Sequence, residues 1–162
     1  MNPKPYKILF LCTGNSARSI LGEYLIRLVA GNRFESYSAG ARPTGKINPI
    51  VVRCLKEKFQ TEASDARSKS WEEFKETPFD FVITVCDNAK ESCPIWPGQP
   101  IIAHWSSPDP AEFEGTEEEK LNATFQVALQ IKRRIELLLS LPLEKMERLK
   151  LQSSVQEIGS TQ

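Results

Sequence analysis

Cys12 is followed by Thr13, Gly14, Asn15, Ser16 and Ala17, then by Arg18 and Ser19. A cysteine thiolate is a nucleophile, and a guanidinium offers a planar fork of donors that matches two oxygens of a tetrahedral oxyanion. Between them, a turn of small polar residues lets successive N–H groups point inward around an anion. The same field favours thiolate over thiol, so the sequence predicts that Cys12 ionises more easily than a free cysteine. Gly14 is expected to take backbone angles closed to its neighbours. Ser19 either caps a following helix or bonds the Cys12 sulfur. Residues 12–19 therefore read as an oxyanion cradle with a nucleophile at its floor.

A second sulfur pair, Cys86 and Cys93, brackets a polar loop followed by Pro94, Pro97 and Gly98. Such a loop is expected to be exposed and mobile, and a reduced pair at this spacing closes a disulfide if the loop brings the two α-carbons together. A buried Cys86 beside an incidental surface Cys93, or half of a zinc site, are the competing readings. The single histidine and the lack of a Cys-x2-Cys pattern count against zinc.

The elements that must position these groups follow from periodicity. Lys7–Leu11 is an apolar run that reads as a buried strand ending at Cys12. Ser19 opens a helical pattern with Leu21, Leu25, Leu28 and Val29 on one face, stopped by Gly31-Asn32. Residues 33–39 read as a second strand, Asn48-Pro49 as a helix start, and Ile50, Val51, Cys54, Leu55 and Lys58 as that helix's inner side. A short helical piece covers 71–76. Residues 79–86 and 101–105 read as the third and fourth strands. Ser106–Gly115, holding Asp109-Pro110, is a loop, and composition alone makes Asp109 a turn residue. Thr116 opens a long helix with Leu121, Phe125, Ala128, Leu129, Lys132, Ile135 and Leu139 as its stripe. Beyond Pro142, the spacing of Leu143, Met146 and Leu149 predicts a further helix with a disordered end. Strands alternating with helices give an α/β fold, a four-stranded parallel sheet with helices on both faces. In such sheets ligands bind at the carboxyl ends of strands, where Cys12, Cys86 and the Asp109 loop all fall.

The length suits one domain, read as a catalytic domain over 1–142 with a C-terminal extension over 143–162. Lys plus Arg and Asp plus Glu balance at 21 each, so no global field points to nucleic acid or an anionic membrane. No apolar run reaches membrane-spanning length and no signal peptide is recognised, so a cytoplasmic location is expected. Four cysteines there are expected to be catalytic, redox-active or buried.

The segment Cys12-Thr13-Gly14-Asn15-Ser16-Ala17-Arg18-Ser19, placed directly after the first strand, resembles the phosphate-binding loop of the low-molecular-weight protein tyrosine phosphatase superfamily. That superfamily includes the arsenate reductases that couple to thioredoxin. The resemblance extends over about Tyr6 to Leu141. It implies that residues 13–19 bind an oxyanion (arsenate, with phosphate and sulfate competing), that Cys12 and Arg18 are catalytic, and that Asp109 is the general acid. Ala111 stands where phosphotyrosine-specific members commonly carry an aromatic. Cys86 and Cys93 resemble the redox pair of the reductases, which implies a relay from Cys12 to Cys86 to Cys93. The oxidised pair would be reduced by thioredoxin, or by glutaredoxin with glutathione, as an external thiol reductant with no bound cofactor. Two other functions remain open: a tyrosine phosphatase whose extra cysteines protect Cys12, and a weakly catalytic anion or redox sensor. Asn15, Glu23 and Ser38 match positions that bind potassium in some reductases. Lys69 lies near an aspartate of those proteins and its ammonium is expected to replace the ion, so no metal is assigned. Cys54 reads as core, and His104 as structural or as shaping the site.

Overall fold

Ile8 to Leu11 are all buried, which makes β1 (Tyr6–Cys12) a strand covered on both faces and places it inside the sheet. In the computed structural model, which describes residues 4–86 and 95–161, β1 lies between β2 (Phe34–Gly40) and β3 (Phe81–Thr84). β4 (Ile101–His104) forms the edge beyond β3, and every pairing is parallel. This is the expected α/β architecture, in the order β2-β1-β3-β4.

Helix α1 (Arg18–Ala30) connects β1 to β2, and α2 (Pro49–Phe59) with the 3-10 turn Trp71–Phe74 connects β2 to β3. After β4 come α3 (Glu117–Leu139) and α4 (Arg148–Ile158). On β2 the pleat sends alternate side chains to opposite faces. Ser36 and Ser38 meet α1 through Glu23, while Tyr37 stacks edge-on against Phe74 and Phe79 on the other side. Helix starts follow the sequence: Asn48 accepts from the Ile50 N–H with Pro49 at the first position, and Thr116 with Glu119 forms a reciprocal capping box.

Four details differ from the sequence reading. β3 is shorter than residues 79–86, because Phe79 turns into the ring cluster with Tyr37, Phe74 and Trp96 instead of pairing. Leu28 on α1 is exposed, and α1 buries Ser19, Gly22 and Glu23 instead. On α3 the buried stripe is Leu121, Thr124, Val127, Ala128, Ile131, Arg134, Ile135 and Leu138, leaving Leu129 at the surface. That helix packs against both α1 and α2, so its inner face is rotated and wider than one apolar stripe. The chain beyond Pro142 is ordered through the described residues. Leu149 is exposed, whereas Val155 and Ile158 anchor α4 against β4.

The α4 contact closes the sheet edge chemically. The Gln152 side-chain amide bonds both the N–H and the C=O of Ile102, and Gln156 accepts from the His104 N–H. These are the groups a further strand would take, so the helix satisfies an edge that would otherwise stand open.

Candidate active site

Cys12 ends β1, and the turn that follows is held from outside. The Cys12 carbonyl accepts from Ala41 N–H at 3.3 Å, Thr13 from Arg42 at 2.9 Å, Gly14 from Thr44 at 3.0 Å and Ser16 from Asn48 at 2.9 Å. With these carbonyls bonded outward, the turn's amide dipoles set their N–H ends toward its interior, beside the N-terminus of α1. The left-handed residue of the turn is Asn15, at φ 47°, and not Gly14 as the sequence predicts. Asparagine tolerates this region because its side chain bonds locally. Here Asn15 Nδ2 donates to Ser19 Oγ at 2.8 Å, and Asn15 Oδ1 accepts from the Lys69 N–H at 2.8 Å.

The Cys12 sulfur lies 2.8 Å from Ser19 Oγ and accepts from the Asn15 N–H at 3.1 Å. Ser19 therefore serves the sulfur; the helix begins at Arg18 with no side-chain cap. Burial pushes the Cys12 thiol up from the ordinary cysteine range, against the Ser19 and Asn15 bonds that favour thiolate, and Cys86 nearby pushes the same way. This corrects the expectation of easy ionisation. The loop's donors are real, but the sulfur they serve is almost wholly buried.

Cys86 follows β3 and is also buried. Its sulfur accepts from the Thr13 N–H at 3.1 Å and lies 3.2 Å from Thr13 Oγ1. Two sulfurs thus share one turn, each bonded to a residue within it. Cys93 and Lys90 lie outside the described residues.

Arg18 points across to the loop after β4. Its Nη1 donates to the Ser107 carbonyl at 3.2 Å, its Nη2 lies 3.5 Å from Asp109 Oδ2, and its buried Nε has no partner among the described residues. Asp109 caps the 3-10 turn Pro110–Glu112 by accepting from the Ala111 N–H at 3.0 Å, so the turn role and a place at the cleft coincide. Thr13, Arg18, Cys86, Ser107, Asp109 and Glu112 line a cleft of about 560 Å³ at the carboxyl end of the sheet. A larger hollow of about 800 Å³, near Tyr6, Phe34 and Glu144, lies at the amino end, and none of Cys12, Cys54 and Cys86 lines it.

Beneath the turn, the buried Lys69 Nζ donates to Arg67 O at 3.0 Å, Ser38 Oγ at 3.2 Å and Asn15 Oδ1 at 3.4 Å, and lies 3.7 Å from Glu23 Oε1. Burial lowers the Lys69 pKa, with Glu23 opposing. These oxygens are a cation's ligand set, and the ammonium fills it. No cluster of three or more His, Cys, Asp or Glu side chains placed to hold a metal ion occurs among the described residues. Cys54 is core, its thiol pushed up to about 11 by burial. The His104 ring bonds Thr84 Oγ1 at 2.8 Å and does not line the cleft.

Sequence reasoning missed Gly40. A Cβ there would stand 2.6 Å from the Thr13 carbonyl and 3.0 Å from the Asn15 N, so the turn lies directly on this residue. Its only signal was a glycine at the end of β2, which pairs with Cys12.

Residues 7–152 match the family described as Low molecular weight phosphotyrosine protein phosphatase. An arsenate reductase of Oceanobacillus iheyensis is 37% identical over 128 residues, spanning 79% of this chain and 91% of that protein. Among solved structures, an arsenate reductase in the phosphate binding state superposes with a TM-score of 0.71 at 25% identity, covering 83% of this chain and 97% of that one. A thioredoxin-dependent arsenate reductase of Corynebacterium glutamicum gives 0.57 at 27% identity, covering 85% and 65%. No helix among the described residues is long and apolar enough to cross a membrane.

Proposed function

The chain belongs to the low molecular weight phosphotyrosine protein phosphatase family, and from that premise we propose that it is an enzyme reducing arsenate to arsenite through a cysteine relay. The observation that carries this reading is the sharing of one turn by two sulfurs, Cys12 bonded to Asn15 and Cys86 to Thr13. A phosphatase needs one sulfur in its cradle; a two-electron reduction needs two. The relatives named arsenate reductase support the same substrate.

Arsenate enters the turn and engages Arg18, whose Nε is unpartnered among the described residues, along with the loop N–H groups. The Cys12 thiolate attacks arsenic, and Asp109 protonates the departing hydroxide, which leaves as water. Ser19 and the Asn15 N–H stabilise the sulfur before attack. The Cys86 thiolate then attacks the Cys12 sulfur. The sulfur–arsenic bond breaks with its electron pair on arsenic, arsenite departs, and a Cys12–Cys86 disulfide remains. Cys93 attacks Cys86 next and frees Cys12, leaving Cys86–Cys93 for an external thiol reductant. Thioredoxin is the first candidate for that reductant, and glutaredoxin with glutathione the alternative. Phosphate and sulfate compete because they present the same tetrahedral oxygens.

The test is arsenite release with each reducing system supplied separately. Wild type is expected to turn over with one of them. Cys86→Ser and Cys93→Ser are expected to lose turnover while keeping slow hydrolysis of an aryl phosphate, and Cys12→Ser to lose both. Rapid phosphotyrosine-peptide hydrolysis with no arsenite formed would overturn the reading in favour of a phosphatase.

A further inference from the structure

A buried arginine that does not line the cleft stands behind the acid loop. Arg134, on the inner face of α3, is 4% exposed. Its Nη1 donates to the Ser106 carbonyl at 2.7 Å and to Ser107 Oγ at 3.4 Å. Its Nη2 and Nε donate to the Thr161 carbonyl at 2.9 and 3.3 Å. Taking a guanidinium out of water is costly, and an aliphatic residue would fill the same core position at lower cost. Burial lowers its pKa, and among the described residues no carboxylate pairs with it.

What the arginine holds is the segment that the cleft depends on. The Ser107 N–H donates to Val85 O at 3.3 Å, and the Ser107 carbonyl accepts from Arg18 Nη1 at 3.2 Å. Ser106 and Ser107 are therefore clamped between two guanidiniums, Arg134 behind and Arg18 in front, with Asp109 two residues further on. The C-terminal segment backs this clamp. Trp105 Nε1 donates to Val155 O at 2.9 Å, and Gly159 packs so closely that a Cβ would stand 2.2 Å from the His104 carbonyl.

We propose that Arg134 is a positioning residue for the general-acid step: tied to Thr161, it fixes Ser106–Ser107 so that the Asp109 carboxyl faces the cradle. This rests on the proposed acid role of Asp109. With an aryl phosphate, the Cys12 thiolate attacks phosphorus, the phosphorus–oxygen bond breaks with its pair on the aryl oxygen, and the Asp109 proton goes to that oxygen. Water then hydrolyses the thiophosphate, returning the Cys12 thiolate and phosphate.

The experiment compares phenyl phosphate, a poor leaving group that needs the proton, with p-nitrophenyl phosphate, which needs it less. For Arg134→Gln, kcat/KM on phenyl phosphate is expected to fall about tenfold and on p-nitrophenyl phosphate less than about threefold. The inhibition constant of inorganic phosphate should stay unchanged. Arg134→Lys, which retains a buried donor, should recover most of the loss and keeps the test open if the glutamine variant does not fold. In an Asp109→Asn background, Arg134→Gln should add nothing. Equal losses on both esters, weaker phosphate binding, or additive losses in the Asp109→Asn background would overturn the proposal. If Asp109→Asn itself does not discriminate between the esters, the acid role fails and takes this inference with it. If wild type forms no arsenite, only the reductase reading falls, and the ester comparison still stands.

Discussion

Gly40→Ala is a one-carbon change outside the cradle that should disable it. The added Cβ would meet the Thr13 carbonyl at 2.6 Å, the Asn15 N at 3.0 Å and the Asn15 Cβ at 3.1 Å. Gly40 cannot retreat, because it pairs with Cys12 across the sheet and its N–H bonds the Lys69 carbonyl at 2.9 Å. The Thr13–Asn15 turn must therefore move by roughly 0.5–1 Å to regain ordinary contact distances. Overpacking of this kind costs about 1–3 kcal/mol of stability. A displacement of that size at a reacting centre costs up to about a hundredfold in rate. Gly14→Ala is the milder control: beyond its chain neighbours the added Cβ meets no backbone atom within 4 Å, only the Thr44 methyl at 3.1 Å and the Ser16 hydroxyl at 3.6 Å. Calorimetric titration with inorganic phosphate and an arsenite-release assay should both show large losses for Gly40→Ala and changes below about threefold for Gly14→Ala. If Gly40→Ala folds and keeps its phosphate affinity, or if Gly14→Ala is the worse variant, the turn does not depend on Gly40 as argued.

Two other substitutions probe the sulfur and the buried cation. Ser19→Ala removes the hydroxyl that lowers the Cys12 pKa against the upward push of burial. Because only the thiolate is alkylated, the rise of Cys12 modification with pH should move upward by about one pH unit. Peptide mapping after iodoacetamide treatment across pH reads this, and an unmoved or lowered midpoint would contradict it. Lys69→Asp empties the oxygen set of Asn15, Ser38, Glu23 and Arg67 O of its ammonium. Activity should fall at least about tenfold. Potassium chloride should restore part of it where choline chloride at equal ionic strength does not; equal responses would show that no cation site remains.

The parallel sheet, the Cys12–Arg18 turn and the starts of α2 and α3 were legible because each rests on local signals: an apolar run, a small polar turn, Asn-Pro, and Thr116 ahead of a long helical pattern. What escaped depended on contacts distant in sequence. Gly40 reads as a strand end until the Thr13 carbonyl is laid upon it. Arg134 falls outside the stripe that the sequence assigns to that helix, but α3 packs on two helices and turns the position inward. The ease of Cys12 ionisation was overstated for a similar reason: donors can be read from a turn, whereas the depth at which the sulfur lies cannot. Leu149 misled because helical spacing says that a face exists, not which face is buried, and on α4 that face is set by β4 through Val155 and Ile158.

The central claim is that Cys12 and Cys86 serve one reaction in succession, and a single turnover tests it most directly. Cys93→Ser, mixed with one equivalent of arsenate and no reductant, should release one equivalent of arsenite. It should also lose two hydrogens in intact mass and yield a linked peptide joining Cys12 to Cys86. Full reduction of both cysteines after arsenate exposure, with no arsenite formed, would contradict the account.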